Sequence, residues 1–155
     1  MEISDNLKKL FEKLKNENIT ATEIAKKLNI SKKTLSNYIN GDAYIPIEHL
    51  NNLSNILNTS IDYILGLSKN IKYSKYKNIE NLNPIEIGSR IKKYRKENKI
   101  TQDKLAQSIG ITKSSISRYE SGKNLILTIC LYTICKKYHI SADYLLGKID
   151  YKPKW

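Results

Sequence analysis

The fold is decided by residues 100–123, which read ITQDKLAQSIGITKSSISRYESGK. Thr101 is a favoured N-cap residue, and the residues after it predict a helix of about eight residues. That helix must stop at Gly110, because glycine readily adopts the left-handed conformation that closes a tight turn. Thr112 then caps a second helix, which ends at Gly122. The stretch therefore predicts two short helices joined by a tight left-handed turn.

The spacing of residues in the second of these helices separates an inner face from an outer one. Ile116 and Tyr119 point toward the core, and the small residue Ala106 lies where the two helices cross. Residues 113, 114, 117 and 118 follow an i, i+1, i+4, i+5 pattern, which places them together on the opposite face. The second helix is therefore expected to present a polar surface while its apolar residues hold it on the domain.

The sequence matches itself without a gap at an offset of 81 residues. Residues 19–42, ITATEIAKKLNISKKTLSNYINGD, fall on 100–123, and residues 59–66, TSIDYILG, fall on 140–147, ISADYLLG. A period of this length indicates two copies of a whole small domain. We predict domains at 1–66 and 85–147, joined by a polar, basic linker at 67–84 and followed by a basic tail at 148–155.

Each copy is expected to contain five short helices and no strand, so the predicted fold class is all-α. The first helix of each copy has one apolar face, formed by Leu7, Leu10, Phe11 and Leu14 in copy one and by Ile87, Ile91 and Tyr94 in copy two. Caps are predicted at Thr20, Ser31, Ser60 and Ser141, and fourth helices at 49–57 and 129–138. Helix two of copy one is expected to stop at Asn29.

Charge points to a polyanionic partner, with nucleic acid ahead of an anionic membrane. The chain carries a net charge of +12 and has an isoelectric point near 9.6. Residues 1–66 are neutral, whereas 67–84 carry +3, 85–147 carry +7 and 148–155 carry +2. Basic residues neutralise phosphates, and this electrostatic contribution dominates nucleic-acid affinity. The second copy and its flanks should therefore supply most of the binding free energy.

Several other kinds of protein are disfavoured. The two cysteines, Cys130 and Cys135, form neither a disulfide framework nor a C-x-x-C site, and a reduced cytoplasmic setting fits them best. We expect no signal peptide, no membrane span and no cofactor. Cys135 and His139 are spaced as half a metal site but lack further ligands, so core packing of the cysteines is favoured. No catalytic motif occurs, and the protein is not expected to be an enzyme.

The second copy resembles the Cro/repressor-type helix-turn-helix family, also called the xenobiotic-response-element family. The elements that carry this resemblance are T-Q, L-A, I-G-I, I-S-x-Y-E-x-G-K and D-Y-L-L-G. Copy one looks like a more divergent member. The resemblance implies two tandem five-helix, lambda-repressor-like domains that bind double-stranded DNA, with the second helix of each motif in the major groove.

The resemblance also implies roles for individual residues of the second copy. Gln102 would contact a phosphate and brace the recognition helix, while Lys113, Ser114 and Arg118 would reach base edges, with Ser117 close to them. Lysine and arginine donate to guanine, and serine serves either kind of base edge. The alternatives are solvated side chains for Lys113 and Arg118, and phosphate contacts for the two serines.

The same comparison identifies Lys32, Lys33, Ser36 and Asn37 as DNA-binding candidates in copy one. Ala21 replaces the phosphate-contacting glutamine there. Copy one is therefore expected to bind DNA in a secondary role, and the alternative is that it dimerises or binds another protein.

The resemblance further implies a buried ion pair between Arg95 and Glu120 in the second copy. The equivalent residues of copy one are Leu14 and Ile39. Replacing both partners of a buried pair by apolar residues is often neutral or stabilising, whereas losing one leaves an unpaired charge. Copy one is therefore expected to keep a folded core.

These inferences predict a sequence-specific transcriptional regulator, a repressor rather than an activator, of the phage or mobile-element type. Two DNA-binding domains in one chain act as a pseudo-dimer, and a linker over 67–84 that reaches roughly 60 Å permits half-sites about 34 Å apart. The alternative is a DNA-bound adaptor, similar to an antitoxin, whose first domain binds a protein. For the tail, both a DNA clamp and a disordered end with Trp155 on a partner remain open.

Overall fold

The computed structural model of the protein describes residues 2–155, and every regular element within that range is a helix. The prediction of an all-α fold with five helices in each repeat is confirmed. The helices are α1 (Glu2–Asn16), α2 (Ala21–Lys27), α3 (Lys32–Asn40), α4 (Ile47–Leu57), α5 (Ile61–Ile64), α6 (Pro84–Glu97), α7 (Gln102–Ile109), α8 (Lys113–Ser121), α9 (Thr128–Tyr138) and α10 (Ala142–Leu145).

The predicted N-caps begin the helices as expected. In each case the side-chain hydroxyl accepts a hydrogen bond from the backbone N–H three residues later, which satisfies a donor that has no partner inside the helix. The capping residues are Thr20, Ser31, Ser60, Thr101, Thr112 and Ser141. The turn between the paired helices is left-handed in both units, at Asn29 (φ 57°) and Gly110 (φ 76°).

The fourth helices start slightly earlier than predicted, at Ile47 and Thr128. Both starting residues are buried, so the first turn is held by packing. Pro46 precedes α4 with φ −61° and ψ 150°, and Leu127 precedes α9 with φ −67° and ψ 143°. Leucine thus adopts the same extended conformation as the proline, and the substitution does not displace the helix.

The chain divides into two compact units, one ending at Ser74 and the other running from Lys75 to Trp155. Residues 67–84 are consequently not set apart from the units. Their first part belongs to the first unit and their second part to the second. The limits at 66 and 85 remain a prediction of where the repeats end.

The tail belongs to the second unit as well. Lys148 and Ile149 are fully buried, and the carboxylate of Asp150 accepts a hydrogen bond from Arg90 at 2.8 Å. Trp155 packs edge-on against His139, with ring centroids 4.6 Å apart. The tail is therefore packed against its own unit rather than a disordered end.

Each unit has its own apolar core, in which the first, third and fourth helices contribute buried leucine and isoleucine side chains. Leu7, Leu35 and Leu50 are examples in the first unit, and Ile116 and Leu131 in the second. Across residues 2–155, no helix has the length and apolar character needed to cross a bilayer.

Candidate nucleic-acid interface

The outer face of α8 carries the predicted contact residues of the second unit. Lys113, Ser114, Ser117 and Arg118 are all exposed. Ile116 is completely buried and Tyr119 is 8% exposed, so the opposite face anchors the helix. Thr112 caps α8 with ψ 154°, which leaves Lys113 and Ser114 in its first turn. The helix thus presents a polar, positively charged edge that a DNA groove can accept.

Asp103 lies close to this edge. Its carboxylate is 3.9 Å from Nζ of Lys113, and both side chains are more than half exposed. An exposed pair at this distance is weak, because water screens it and both side chains are long and mobile. Lys113 therefore remains available to an incoming anion. The proximity of Asp103 to Lys113 arises from the packing of α7 against α8.

Behind α8, a buried polar network ties three helices together. Nε of Arg95 donates to Glu120 at 2.6 Å, and a second guanidinium nitrogen donates to the other carboxylate oxygen at 2.9 Å. Nε2 of Gln102 also donates to Glu120, at 3.0 Å. The hydrogen bonds from the guanidinium to Glu120 raise the pKa of Arg95. Gln102, at the start of α7, is thus attached to the recognition helix.

Gly88 explains how α6 comes so close to α8. A Cβ atom at this position would lie 2.2 Å from the carbonyl oxygen of Tyr119 and 2.6 Å from that of Glu120. Such distances are far inside van der Waals contact, so only glycine permits the two backbones to approach in this way. Sequence reasoning missed this residue, because a single glycine inside a helical pattern carries little information about its partner.

The corresponding face of α3 in the first unit is less open. Lys32 and Lys33 are exposed in the first turn, whereas Ser36 and Asn37 are only partly exposed. The hydroxyl of Ser36 accepts a hydrogen bond from the Asn40 side chain at 3.1 Å. The two lysines are therefore the most accessible of the four predicted residues.

A groove in the first unit adjoins the positions that correspond to the buried network. It has a volume of about 520 Å³, and its apolar lining is formed by Phe11, Ala21 and Ile39. The polar residues around it are Lys8, Glu12, Lys15, Thr20, Thr22 and Lys32, so lysines outnumber the single carboxylate. Ala21 and Ile39 occupy the places of Gln102 and Glu120. The polar network is thus replaced by an apolar surface bordered by lysines.

Cys130 and Cys135 are core residues of the second unit. Cys130 and Cys135 are buried, and the hydroxyl of Tyr119 contacts Sγ of Cys130 at 3.9 Å. Burial raises the pKa of the Cys130 thiol, which disfavours the thiolate form that binds metals. Among residues 2–155 no group of three or more His, Cys, Asp or Glu side chains is arranged to hold a metal ion.

Comparison with known proteins agrees with this architecture. One family model described as a helix-turn-helix matches residues 10–64, and another described as a helix-turn-helix domain matches residues 88–150. The chain is 37% identical over 62 residues to the antitoxin PezA of Streptococcus pneumoniae, covering 40% of this chain and 39% of the relative. It is 38% identical over 61 residues to the uncharacterized HTH-type transcriptional regulator YobD of Bacillus subtilis, covering 39% and 54%.

A third relative is the uncharacterized transcriptional regulator in the ATPase CF(0) region of Rhodospirillum rubrum, 31% identical over 64 residues, covering 41% of this chain and 59% of the relative. The chain thus spans about half the length of the curated relatives it matches. The two matched domains, together with the ten helices of residues 2–155, show that the protein contains two tandem helix-turn-helix domains, similar to those of HTH-type transcriptional regulators.

Proposed function

We propose that the protein is a sequence-specific, double-stranded DNA-binding transcriptional regulator whose second unit is the main DNA-binding domain. The observation that carries this proposal is the exposed face of α8, where Lys113, Ser114, Ser117 and Arg118 lie together on a helix anchored by Ile116 and Tyr119. A capped helix with such a face fits the major groove, where base edges differ in their donors and acceptors.

The distribution of charge supports the same ranking of the two units. Residues 1–66 have eight lysines and eight acidic residues, whereas residues 85–147 have twelve basic and five acidic residues. Affinity for duplex DNA depends strongly on the number of phosphates that are neutralised. The first unit, with Lys32 and Lys33 exposed, contributes a weaker contact.

The regulator acts as a repressor of the phage or mobile-element type. Occupying a promoter is sufficient for repression and requires no catalytic centre. It works in the cytoplasm by binding, without enzymatic activity and without a cofactor.

Selection of duplexes from a random library by the intact chain, followed by sequencing, tests the proposal. Two motifs at a preferred spacing mean that both units bind DNA, and a single short motif means that only the second unit does. Enrichment of no motif contradicts sequence-specific binding. The variant Lys113→Ala with Arg118→Ala serves as the control, since it must lose the motif assigned to α8.

One observation favours a second function for the first unit, namely binding of a protein partner as in an antitoxin-like adaptor. The apolar groove beside Phe11 and Ile39 is larger than a single side chain, at about 520 Å³. One relative carries the name antitoxin. A peptide segment with apolar and acidic residues would match the apolar lining and the surrounding lysines.

Replacing Ile39 by Asp separates these two roles of the first unit. The substitution places a charge in the groove but leaves Lys32 and Lys33 unchanged. Unaltered DNA selection together with loss of a co-purifying protein favours the adaptor, whereas loss of one of two DNA motifs favours direct DNA binding.

A further inference from the structure

The segment between the two repeats is attached to the first unit by Tyr73. Its hydroxyl donates to Oδ2 of Asp62 at 2.9 Å, and the tyrosine is only 7% exposed. Two backbone carbonyls just before it reinforce the attachment. The carbonyl of Ile71 accepts from the N–H of Ser60 at 2.6 Å, and that of Asn70 accepts from the Ser60 hydroxyl at 2.6 Å.

Tyr76 attaches the following residues to the second unit in a comparable way. Its hydroxyl donates to Oδ1 of Asp143 at 2.5 Å. The N–H of Lys77 donates to the carbonyl of Lys148 at 2.8 Å, and Nζ of Lys148 lies 5.2 Å from the centre of the Tyr76 ring. Further along, Leu82 is buried as well.

The two anchoring aspartates are the same residue of the repeat. Asp62 and Asp143 are separated by the offset of 81 residues, and both are completely buried. The tyrosines are not related by the offset, because one follows its repeat and the other precedes its repeat. Tyr73 therefore binds the buried aspartate of the repeat before it, and Tyr76 binds the equivalent aspartate of the repeat after it. Only Ser74 and Lys75 separate these two tyrosines, which are called the anchors below.

The anchors change the length of chain that is available between the units. Residues 67–84, if extended, would reach roughly 60 Å, whereas the three peptide units from Tyr73 to Tyr76 reach about 11 Å between Cα atoms. Once one unit has bound DNA, a shorter tether raises the effective concentration of the other unit at its half-site. It also narrows the range of half-site distances at which both units can bind.

We infer that Tyr73 and Tyr76 determine the spacing between the two DNA half-sites, by limiting the connection between the units to Ser74 and Lys75. This inference rests on the proposed function, since it requires both units to bind DNA. A flexible connection over 67–84 would allow many half-site spacings, whereas the short connection allows only a few.

Two matched insertions test it. An insertion of about six Gly and Ser residues, which adds roughly 20 Å of reach, is placed either between Ser74 and Lys75 or between Glu80 and Asn81. Both sites lie within 67–84 and all four flanking residues are exposed, but only the first lies between the tyrosine anchors. Affinity is measured on duplexes in which the two selected motifs are stepped apart by single base pairs.

We expect the unmodified chain to bind the best spacing about tenfold or more tightly than one changed by half a helical turn, which moves one motif to another face of the duplex. The insertion between the anchors should reduce this preference to about twofold or less, and the insertion after Glu80 should preserve it. If both insertions reduce the spacing preference equally, or if the unmodified chain has none, the tyrosines do not determine the spacing, while DNA binding by both units still stands. Failure to select any motif, or selection of only one, removes the inference together with DNA binding by both units.

The anchors have a readout that requires no DNA. Tyr76→Phe should speed hydrogen exchange at the amide of Lys77, while exchange at the amide of Ser60 in the other unit stays unchanged. Tyr73→Phe should do the reverse. Unchanged exchange at both amides in both variants contradicts the anchoring role of the tyrosines.

Discussion

Arg95 and Glu120 form a buried, two-point ion pair in the second unit, with Nε of Arg95 2.6 Å from Oε2 of Glu120. Both residues are 8% exposed. The equivalent residues of the first unit are Leu14 and Ile39. The second unit therefore joins its first helix to α8 by an ion pair, whereas the first unit has apolar residues at both of these positions.

Glu120→Ala should lower the free energy of unfolding of the second unit by about 3–5 kcal/mol, because it leaves the Arg95 guanidinium buried without its carboxylate. Ile39→Ala, at the equivalent position of the first unit, leaves only a cavity at a half-buried site and should cost about 1–2 kcal/mol. Chemical denaturation measures both. The double variant Arg95→Leu with Glu120→Ile should recover most of the loss, and an unchanged midpoint for Glu120→Ala contradicts the importance of the pair.

Gly88→Ala should destabilise the second unit by about 3 kcal/mol, the upper end for overpacking, since the new methyl group would meet the backbone of α8 rather than a movable side chain. The closest carbonyl oxygen would be 2.2 Å away. Thermal unfolding provides the measurement. Ser89→Ala on the same helix is the control and should change stability by about 0.5 kcal/mol or less. Similar effects of the two substitutions would show that α6 and α8 separate at little cost.

Arg118→Ala should weaken binding to the selected duplex by about 1–3 kcal/mol and relax base preference at one position. The reason is that Arg118 is exposed on the outer face of α8, where the proposed function has it donate to a base edge. Competition binding against a set of singly substituted duplexes measures this change. The control is Lys152→Ala, which should leave the base preference intact. The ammonium group of Lys152 lies 3.6 Å from the carboxylate of Glu97. An equal loss of affinity for all sequences would assign Arg118 to a phosphate.

Lys113→Ala should weaken DNA binding more than the double variant Lys32→Ala with Lys33→Ala. Lys113 belongs to a repeat with net charge +7, whereas the two lysines belong to a neutral one. Each lost phosphate contact should reduce the slope of log affinity against log salt by about one. Titrations at several salt concentrations give both quantities. The reverse ranking would make the first unit the main DNA-binding domain.

Deprotonation of the buried Lys148 should make the second unit more stable at alkaline pH. Burial lowers the pKa of Lys148 from 10.5 to about 8, and the Asp143 carboxylate offsets part of this effect. Between about pH 8 and 10.5 the unfolded chain holds a proton that the folded chain has lost, so the free energy of unfolding rises with pH, by about 3 kcal/mol across that range.

Other groups act in the opposite sense, because burial raises the pKa of Tyr94, Tyr119 and Cys130. The measurement is therefore the difference between the unmodified chain and Lys148→Leu, which introduces the residue type found at the equivalent Leu67. Denaturation at neutral pH and near pH 9.5 should show that the unmodified chain gains stability relative to Lys148→Leu as the pH rises. A constant difference would show that Lys148 titrates normally.

Local interactions made much of the fold predictable. The six capping hydroxyls and the left-handed turns at Asn29 and Gly110 involve residues close in sequence, so their chemistry can be inferred from the order of residues alone. The repeat at an offset of 81 residues adds a second, independent set of the same signals. The outward position of Lys113 and Arg118 follows from helical periodicity, while their contacts with DNA remain a proposal.

The anchors and the tail were not predictable, because they depend on residues that are distant in sequence. Tyr76 lies 67 residues from Asp143, its hydrogen-bond partner. A polar, lysine-rich stretch such as 67–84 has the composition of a linker, and nothing local distinguishes an anchoring tyrosine from an exposed one. Lys148 is completely buried although lysine is usually exposed.

The sequence alone therefore determined the two five-helix domains, their helix boundaries to within a few residues and the polar face of each recognition helix, because periodicity and capping act over a few residues. The close approach of α6 to α8 at Gly88, the position of the tail and the residues that connect the two units depend on tertiary contacts. Those features arise from packing between segments that are brought together by the whole chain, and such contacts leave no periodic signal in the sequence.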